Sequence, residues 1–335
     1  MIHSIPEIDF VIPWVDGSDP AWLEERSKYD VATGDARTAR YQDWGLLPYW
    51  FRAVEKYAPW VRKIHFITWG HIPEWLDTSN PKLNIVKHTD YIPQEYLPTF
   101  QSHTIELNMH RIEGLAEHFV YFNDDLFITK EIAPEFFFKN GLPCDCFSLQ
   151  SIIFKPNTIG WTNGSDISVI NKHFELRPTL KKNWKKVFHP GNGIKKVVKT
   201  ALYALCDPWF PGLYYNHTTT AYLKSTLETL WEIEPDVLDE TCRCRFREKN
   251  NVNQFVFKFW QLASGQFYPS SPRKARCYHL QQEQTDNVCR DIKQKKYTIL
   301  CINDAGKIDD IAWSAEQIKN AFEEMLPDKC SFEKL

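Results

Sequence analysis

The chain has 335 residues, of which 43% are hydrophobic and 25% charged, so it is long and apolar enough for one large domain or two ordinary ones. That balance excludes a disordered chain, and a formal net charge of −3 gives no support to a nucleic-acid binder. Aromatic residues stand out at 15%, which suits ring-stacking walls as well as a large core.

No apolar run is long enough for a membrane-spanning helix, and Met1–Asp9 lacks the basic and apolar regions of a signal peptide. Nine cysteines, an odd count, include the C-x-C pairs Cys144/Cys146 and Cys242/Cys244 rather than the C-x-x-C of a zinc knuckle. Reduced structural thiols in a cytoplasmic protein are therefore expected.

Ile8–Val15 is a short apolar run halted by Asp16-Gly17-Ser18-Asp19-Pro20, which predicts a buried strand entering a loop. Leu46–Tyr57 has helical spacing, Val61–Trp69 and Leu83–His88 read as strands, and Thr104–His118 reads as a helix. Phe119–Asn123 is a further strand that runs straight into Asp124-Asp125. Alternation of this kind predicts an α/β fold with a mostly parallel sheet, whose ligands gather at the carboxyl ends of strands.

After about residue 140 the composition changes. Between Lys172 and Lys199 there are nine basic residues and one acid, Glu175. Leu180, Trp184, Val187 and Phe188 fall near one helical face there, which predicts a short interfacial helix in contact with the membrane or an anionic glycan, or else a solvated charged face. Downstream, Tyr222–Glu232 and Asn251–Ala263 read as helices, and Tyr297–Ile302 as a strand ending in Asn303-Asp304. These shifts divide the chain into 1–140 and 216–335, two parts of one core, around a basic, helical insertion at 141–215.

The strongest chemical signal is Asn123-Asp124-Asp125 at a strand end. Adjacent carboxylates repel, and a hard cation such as Mg²⁺ (or Mn²⁺) relieves the repulsion while bridging to substrate phosphates; a helix cap or solvated turn is the plain alternative. Trp14 and Asp16 form a second acidic strand end, where Trp14 is placed to stack on a base. Arg40 and Asp43 fit a phosphate fork and a polar anchor, or equally a surface ion pair with Asp43 as an N-cap. Ser102 and Glu106 open a helix that suits phosphate or a capping box, and His110 follows Glu106 by one turn. His217 lies in a polar context as a general base or a structural histidine. Arg245 and Arg247 would share a side if extended.

In this order, four blocks resemble the Stealth family of sugar-phosphate transferases: Ile8–Trp22, about Arg40 to Phe138, Asn216 to about Leu262, and Cys301–Asp304. The family includes bacterial capsule enzymes and the animal enzyme that places N-acetylglucosamine-1-phosphate on lysosomal glycoproteins. The resemblance implies a nucleotide-binding, Rossmann-like α/β core similar to glycosyltransferase type A. It implies transfer of a hexose-1-phosphate from a nucleotide diphosphate sugar, a UDP-sugar above all, to a hydroxyl of a glycan or lipid-linked glycan. In capsule or exopolysaccharide synthesis the product would be a phosphodiester; contact with the inner face of the cell membrane is the expectation that the basic segment 172–199 carries, in an otherwise cytoplasmic enzyme. Within the matched blocks, Trp14, Asp16, Arg40, Ser102, Glu106, His110, Arg111 and Asn123 would bind donor. Asp124 and Asp125 would hold metal, and His217, Arg247, Asp43 and Asp125 would serve catalysis. The chain lacks the inserted modules of the animal enzymes, and whether Arg245 or Arg247 fills the basic position is open. A metal-dependent glycosyltransferase on the same core is the alternative enzyme, and a carbohydrate-binding protein without turnover the alternative of another class.

Overall fold

The computed structural model describes residues 6–29, 43–155, 159–206, 208–271 and 274–334. The chain opens with β1 (Ile8–Pro13), α1 (Pro20–Ser27), α2 (Leu47–Tyr57), β2 (Ile64–Thr68) and β3 (Leu83–Lys87). There follow α3 (His88–Tyr91), α4 (Ser102–Leu107), β4 (His118–Tyr121) and β5 (Leu126–Ile128). A hairpin of β6 (Phe138–Lys139) and β7 (Leu142–Asp145) leads into α5 (Gly160–His173), α6 (Leu176–Lys182), α7 (Trp184–Val187) and α8 (Ile194–Cys206). The chain returns through β8 (Thr220–Leu223), α9 (Lys224–Ile233), α10 (Pro235–Arg243), α11 (Phe255–Ser264), β9 (Tyr268–Pro269) and β10 (Ala275–Gln281). It finishes with α12 (Thr285–Lys293), β11 (Ile299–Lys307) and α13 (Ile311–Met325).

The main sheet has the order β3-β2-β1-β4-β8, parallel except for the antiparallel edge strand β8. Its strands alternate sides as the two-residue pleat requires. Ile8, Phe10 and Ile12 of β1 join Trp50, Val54, Phe322 and Leu300 in one core, whereas Val11 joins Phe119, Tyr121, Tyr222, Ile170 and Leu227 in the other. Both faces are thus covered, and the expected α/β class is observed. The 141–215 segment is mainly helical, and Phe147, Leu149, Ile167 and Leu176 carry it into the second core. A smaller sheet, β10-β11-β5, abuts the first core, with β10 parallel and β5 antiparallel to β11.

α2 illustrates how local sequence places an element. Pro48 sits in its first turn, Leu47, Trp50, Phe51, Val54 and Tyr57 recur at helical spacing, and Ala58-Pro59 ends it. Its Arg52 binds Glu333 through Nε at 2.7 Å and Nη2 at 3.0 Å, and Glu323 of α13 through Nη1 at 3.1 Å. This largely buried pair ties the amino-terminal core to the carboxyl-terminal tail. Arg52→Ala strands Glu333 without its cation, so it should cost about 3–5 kcal/mol. Urea unfolding should show a lowered midpoint at unchanged slope, and a loss near zero would refute the clamp.

Three expectations need correction. The helix expected over Thr104–His118 stops at Leu107, because the Asn108 side chain donates to the Thr104 carbonyl at 2.8 Å, and a short 3₁₀ turn, Met109–Arg111, follows. The helix expected from Tyr222 begins at Lys224, since Thr220–Leu223 pairs with β4 instead. The single apolar face expected around residues 180–188 does not form: the chain breaks at Asn183 into α6 and α7, Leu180 and Val187 enter the core, and Trp184 and Phe188 stay exposed.

Candidate active site

The sheet order reverses direction at β1, with β2 leaving on one side and β4 on the other, and a cleft opens beyond the carboxyl ends of these strands. Its volume is about 670 Å³, within the range of small-molecule sites. Trp14 follows β1, and Asn123-Asp124-Asp125 follow β4 in a turn closed by the Leu126 N–H donating to the Asn123 carbonyl at 3.1 Å.

β11 brings the fourth sequence block onto this turn. The Ile302 N–H donates to the Asp125 carbonyl at 2.9 Å, the Asn303 amide to Asp125 Oδ2 at 3.0 Å, and the Cys301 thiol lies 3.5 Å from the same oxygen. His217, from the loop before β8, places Nε2 at 3.0 Å from Asp125 Oδ2 and 3.2 Å from Asn123 Nδ2. Three segments far apart in sequence therefore meet at one carboxylate.

The electrostatics differ sharply between the two neighbouring acids. Asp124 presents its carboxylate to the cleft, yet the surrounding protein, then the charges of Asp125 and Asp43, push it up to about 7. Burial works to raise Asp125 too, but the His217 charge, the Asn303 amide and the Cys301 thiol hold it below the usual carboxylate range. Asp125 in turn pushes His217 up to about 9, against burial. The free cleft thus holds an imidazolium–carboxylate pair beside an acid that titrates near neutrality.

Arg247 also lines the cleft, its Nη2 donating to Ser102 Oγ at 2.6 Å. The Phe100 N–H donates to the Arg245 carbonyl at 3.0 Å and the Phe246 ring stacks on Phe100, so the 245–247 strip is fixed against the start of α4. The Arg245 guanidinium lies over the Tyr29 ring and is not among the cleft-lining residues, so Arg247 is the one that reaches the cleft. Arg247→Lys keeps a charge and loses the planar fork, and should lower turnover by about tenfold to a hundredfold. Initial rates check this, and an unimpaired lysine variant would show that the fork is unused.

The other expected residues divide. Asp43, Ser102, Glu106 and Asn123 line the cleft. Glu106 is buried and accepts from the Tyr121 hydroxyl at 3.2 Å and the Gln254 N–H at 3.3 Å, so it braces the floor. Trp14 lines the cleft with little exposure, its ring stacked on Phe66. Asp16 is not brought to the cleft: its Oδ1 accepts from the Ser18 N–H and hydroxyl in a tight turn. His110 and Arg111 are also turned away, packing on Trp231, because α4 ends before them. Arg40 lies outside the described residues.

The fold also gathers residues that sequence reasoning passed over. Asp304 and Gln254 line the cleft, and Cys277 lies 3.2 Å from Cys301 across the β10–β11 pair. Asn303-Asp304 carried a signal too short to weigh, and the cysteines carried none. Among the described residues, Asp125, His217 and Cys301 each bring one ligand atom within 4.8 Å of the others, close enough to share a metal ion, and Asp124 is the next residue in the chain.

Fold and cleft together define an α/β enzyme whose charged groups converge at the switch point of a parallel sheet. The models of Stealth conserved regions 1 and 2 match residues 6–31 and 40–144. A capsular polysaccharide phosphotransferase, WcwK, of Streptococcus pneumoniae is 39% identical over 99% of this chain and 100% of its own. A receptor polysaccharide phosphotransferase, WefC, of Streptococcus gordonii is 38% identical over 98% of this chain and 99% of its own. An exopolysaccharide phosphotransferase, cps2G, of Lactiplantibacillus plantarum is 34% identical over 98% and 96%. The chain belongs to the Stealth family and is a transferase. The galactosyltransferase LgtC superposes with a TM-score of 0.41 at 10% identity, over 94% of this chain and 95% of that one, too distant to inform the chemistry.

Proposed function

We propose that the enzyme transfers a hexose-1-phosphate, such as an N-acetylhexosamine-1-phosphate, from a UDP-sugar to a hydroxyl of a glycan or lipid-linked glycan. The reading places it in polysaccharide synthesis, as the names of its relatives suggest, and sets the reaction at the cytoplasmic face of the membrane as part of the proposal. The observation that carries it is the convergence of Asp124, Asp125, His217 and Arg247 on one cleft. The acceptor oxygen attacks the β-phosphorus, the bond from that phosphorus to the bridging oxygen breaks, and UMP leaves. The anomeric bond stays intact, and the product is a phosphodiester.

The donor set fits a hard divalent cation, Mg²⁺ or Mn²⁺: Asp124 is open to the cleft, and its charge is disfavoured there by the surrounding protein and by Asp125. Asp124 and Asp125 would hold it, and it would neutralise charge on the donor diphosphate. With the Asp125 charge shared with a cation, His217 would lose part of what raises it, and its neutral imidazole would accept the proton of the acceptor hydroxyl. Arg247 donates to the non-bridging phosphoryl oxygens, whose charge grows in the transition state. Trp14 and Asp43 shape the donor end of the cleft. A ³¹P spectrum of the isolated product tests the reading. A phosphodiester resonance supports it, and a phosphorus-free glycoside would favour the glycosyltransferase alternative.

The titrations fix a pH dependence. Asp124 keeps its proton below about 7, so a cation must displace that proton there. Mg²⁺ affinity, read from the shift in melting temperature, should rise by about tenfold or more per pH unit up to about 7, where Asp124 loses its proton, and go on rising until His217 is neutral, at about 9. In the absence of metal the sign reverses. Asp124, raised above its ordinary 3.8, withdraws stability as pH climbs through about 7. The His217–Asp125 pair contributes stability below the ordinary histidine value of 6.5 that is lost as pH climbs through about 9. Affinity independent of pH would contradict the assignment of Asp124.

A further inference from the structure

Helix α8 departs from the usual amphipathic arrangement, in which the whole apolar stripe faces the core. Ile194, Val198, Leu202 and Leu205 recur at i, i+4, i+8 and i+11, an arc of about 80° on a helix of 3.6 residues per turn. These four are 70%, 54%, 61% and 77% exposed. The opposite side, which faces the protein, is mixed: Tyr203 and Ala204 pack against the second core, and polar groups stand beside them. Thr200 is fully buried and its hydroxyl accepts from the Leu149 N–H at 3.2 Å, while Lys196 Nζ lies over the Tyr214 ring and 3.5 Å from Cys146 Sγ. The fold thus anchors α8 by a mixed polar and apolar side and turns an aliphatic ridge outward, at a cost in exposed apolar area that packing among the described residues does not recover.

Charge says what covers the ridge. Lys195 and Lys199 are exposed along one flank, and the stretch from Leu176 to Cys206 holds eight lysines and arginines and no acid. A second copy docked on this face would set lysines against lysines with no carboxylate of the element to pair them. An anionic lipid surface takes both features at once: aliphatic side chains enter the acyl boundary while lysines meet headgroup phosphates. Trp184 and Phe188, exposed in the segment just before, are residue types that favour that boundary. At 13 residues the helix is about 20 Å long, too short to span a bilayer, so it would lie in the interface plane.

We infer that the α8 ridge, Ile194–Val198–Leu202–Leu205 with Lys195 and Lys199, is a docking surface for the anionic face of a membrane. This moves the contact expected at 172–199 onto a helix that ends beyond it, and it draws on the acceptor reading above only for its use: a lipid-linked acceptor is presented at such a surface.

The test is co-sedimentation of the purified full chain with phosphatidylcholine vesicles, with and without phosphatidylglycerol. Wild type should pellet with the anionic vesicles at low salt and be released at high salt. Lys195→Gln/Lys199→Gln should bind them about thirtyfold more weakly. Val198→Ser/Leu202→Ser/Leu205→Ser should fail to bind vesicles of either composition. Wild type that stays in the supernatant, or a ridge variant that binds as well as wild type, would overturn the inference. So would a dimer in sedimentation velocity that the ridge variant converts to monomer, since the ridge would then be an interface between copies. If the ridge variant fails to fold, the lysine variant alone decides, and undiminished anionic binding by it overturns the proposal. UMP release with a soluble acceptor should be equal in wild type and both variants, and its absence in wild type would count against the phosphotransfer reading, not against the ridge.

Discussion

Asp125→Asn should lower turnover by about 10³-fold or more and leave the protein cooperatively folded. The carboxylate has two roles in the cleft. It would hold the cation together with Asp124, and it fixes the His217 imidazole at 3.0 Å. The isosteric amide keeps the contacts with the Asn303 and Ile302 segments broadly in place, so the loss reports charge rather than shape. Asp124→Asn should cost nearly as much for the metal part alone, and it should remove the part of the pH dependence of Mg²⁺ affinity that Asp124 carries, leaving the part due to His217. Steady-state rates paired with thermal melts check both variants. A near-normal rate in either, at saturating Mg²⁺, would remove the acidic pair from the chemistry.

His217→Ala should lower kcat by about 10²–10⁴-fold with the donor KM nearly unchanged, because the proton moves only in the transition state. The variant also removes the cation that faces Asp125, so Asp125 and Asp124 repel one another with less compensation in the metal-free protein. Tighter Mg²⁺ binding should accompany the lost rate. That pairing separates a base from a residue that merely shapes the cleft, which would weaken donor and metal binding together. An unaltered kcat would pass the role to Asp43, which also lines the cleft and influences Asp124.

The sequence exposes some of this architecture and hides the rest for definite reasons. β1, β2 and β3 are apolar runs bounded by turn residues, and α2 has a long periodic face, so local pattern suffices for them. β8 is four residues long and sits directly before a helix, so its apolar residues extend the helical period, and only pairing with β4 makes it a strand. The expected helix after Thr104 fails for a tertiary reason, a side-chain cap at Asn108 that propensity does not encode.

The candidate site divides in the same way. Asp124 and Asp125 are legible because adjacent acids at a strand end are costly without a purpose. His217 and Arg247 carry only weak local signals, and they gain meaning from the chain reversal that sets His217 beside Asp125 across 92 residues. Asn303 reaches the same carboxylate across 178 residues, a proximity that no local pattern reports. Asp16, His110 and Arg111 are polar residues of matching blocks, yet turn geometry and a short α4 keep them from the cleft. The excess of lysine at 172–199 is equally plain in the sequence. Which apolar residues accompany it at the surface depends on the break at Asn183 and on the burial of Thr200, both products of the fold.

The nucleotide released is the most direct measure of the chemistry. Attack at the β-phosphorus liberates the nucleoside monophosphate, whereas attack at the anomeric carbon liberates the diphosphate. Incubation with a panel of UDP- and GDP-sugars, Mg²⁺ and acceptor glycan, followed by separation of the nucleotides, should show acceptor-dependent UMP, lost on chelation of the metal. Acceptor-dependent UDP in place of UMP would contradict phosphotransfer and make the enzyme a glycosyltransferase.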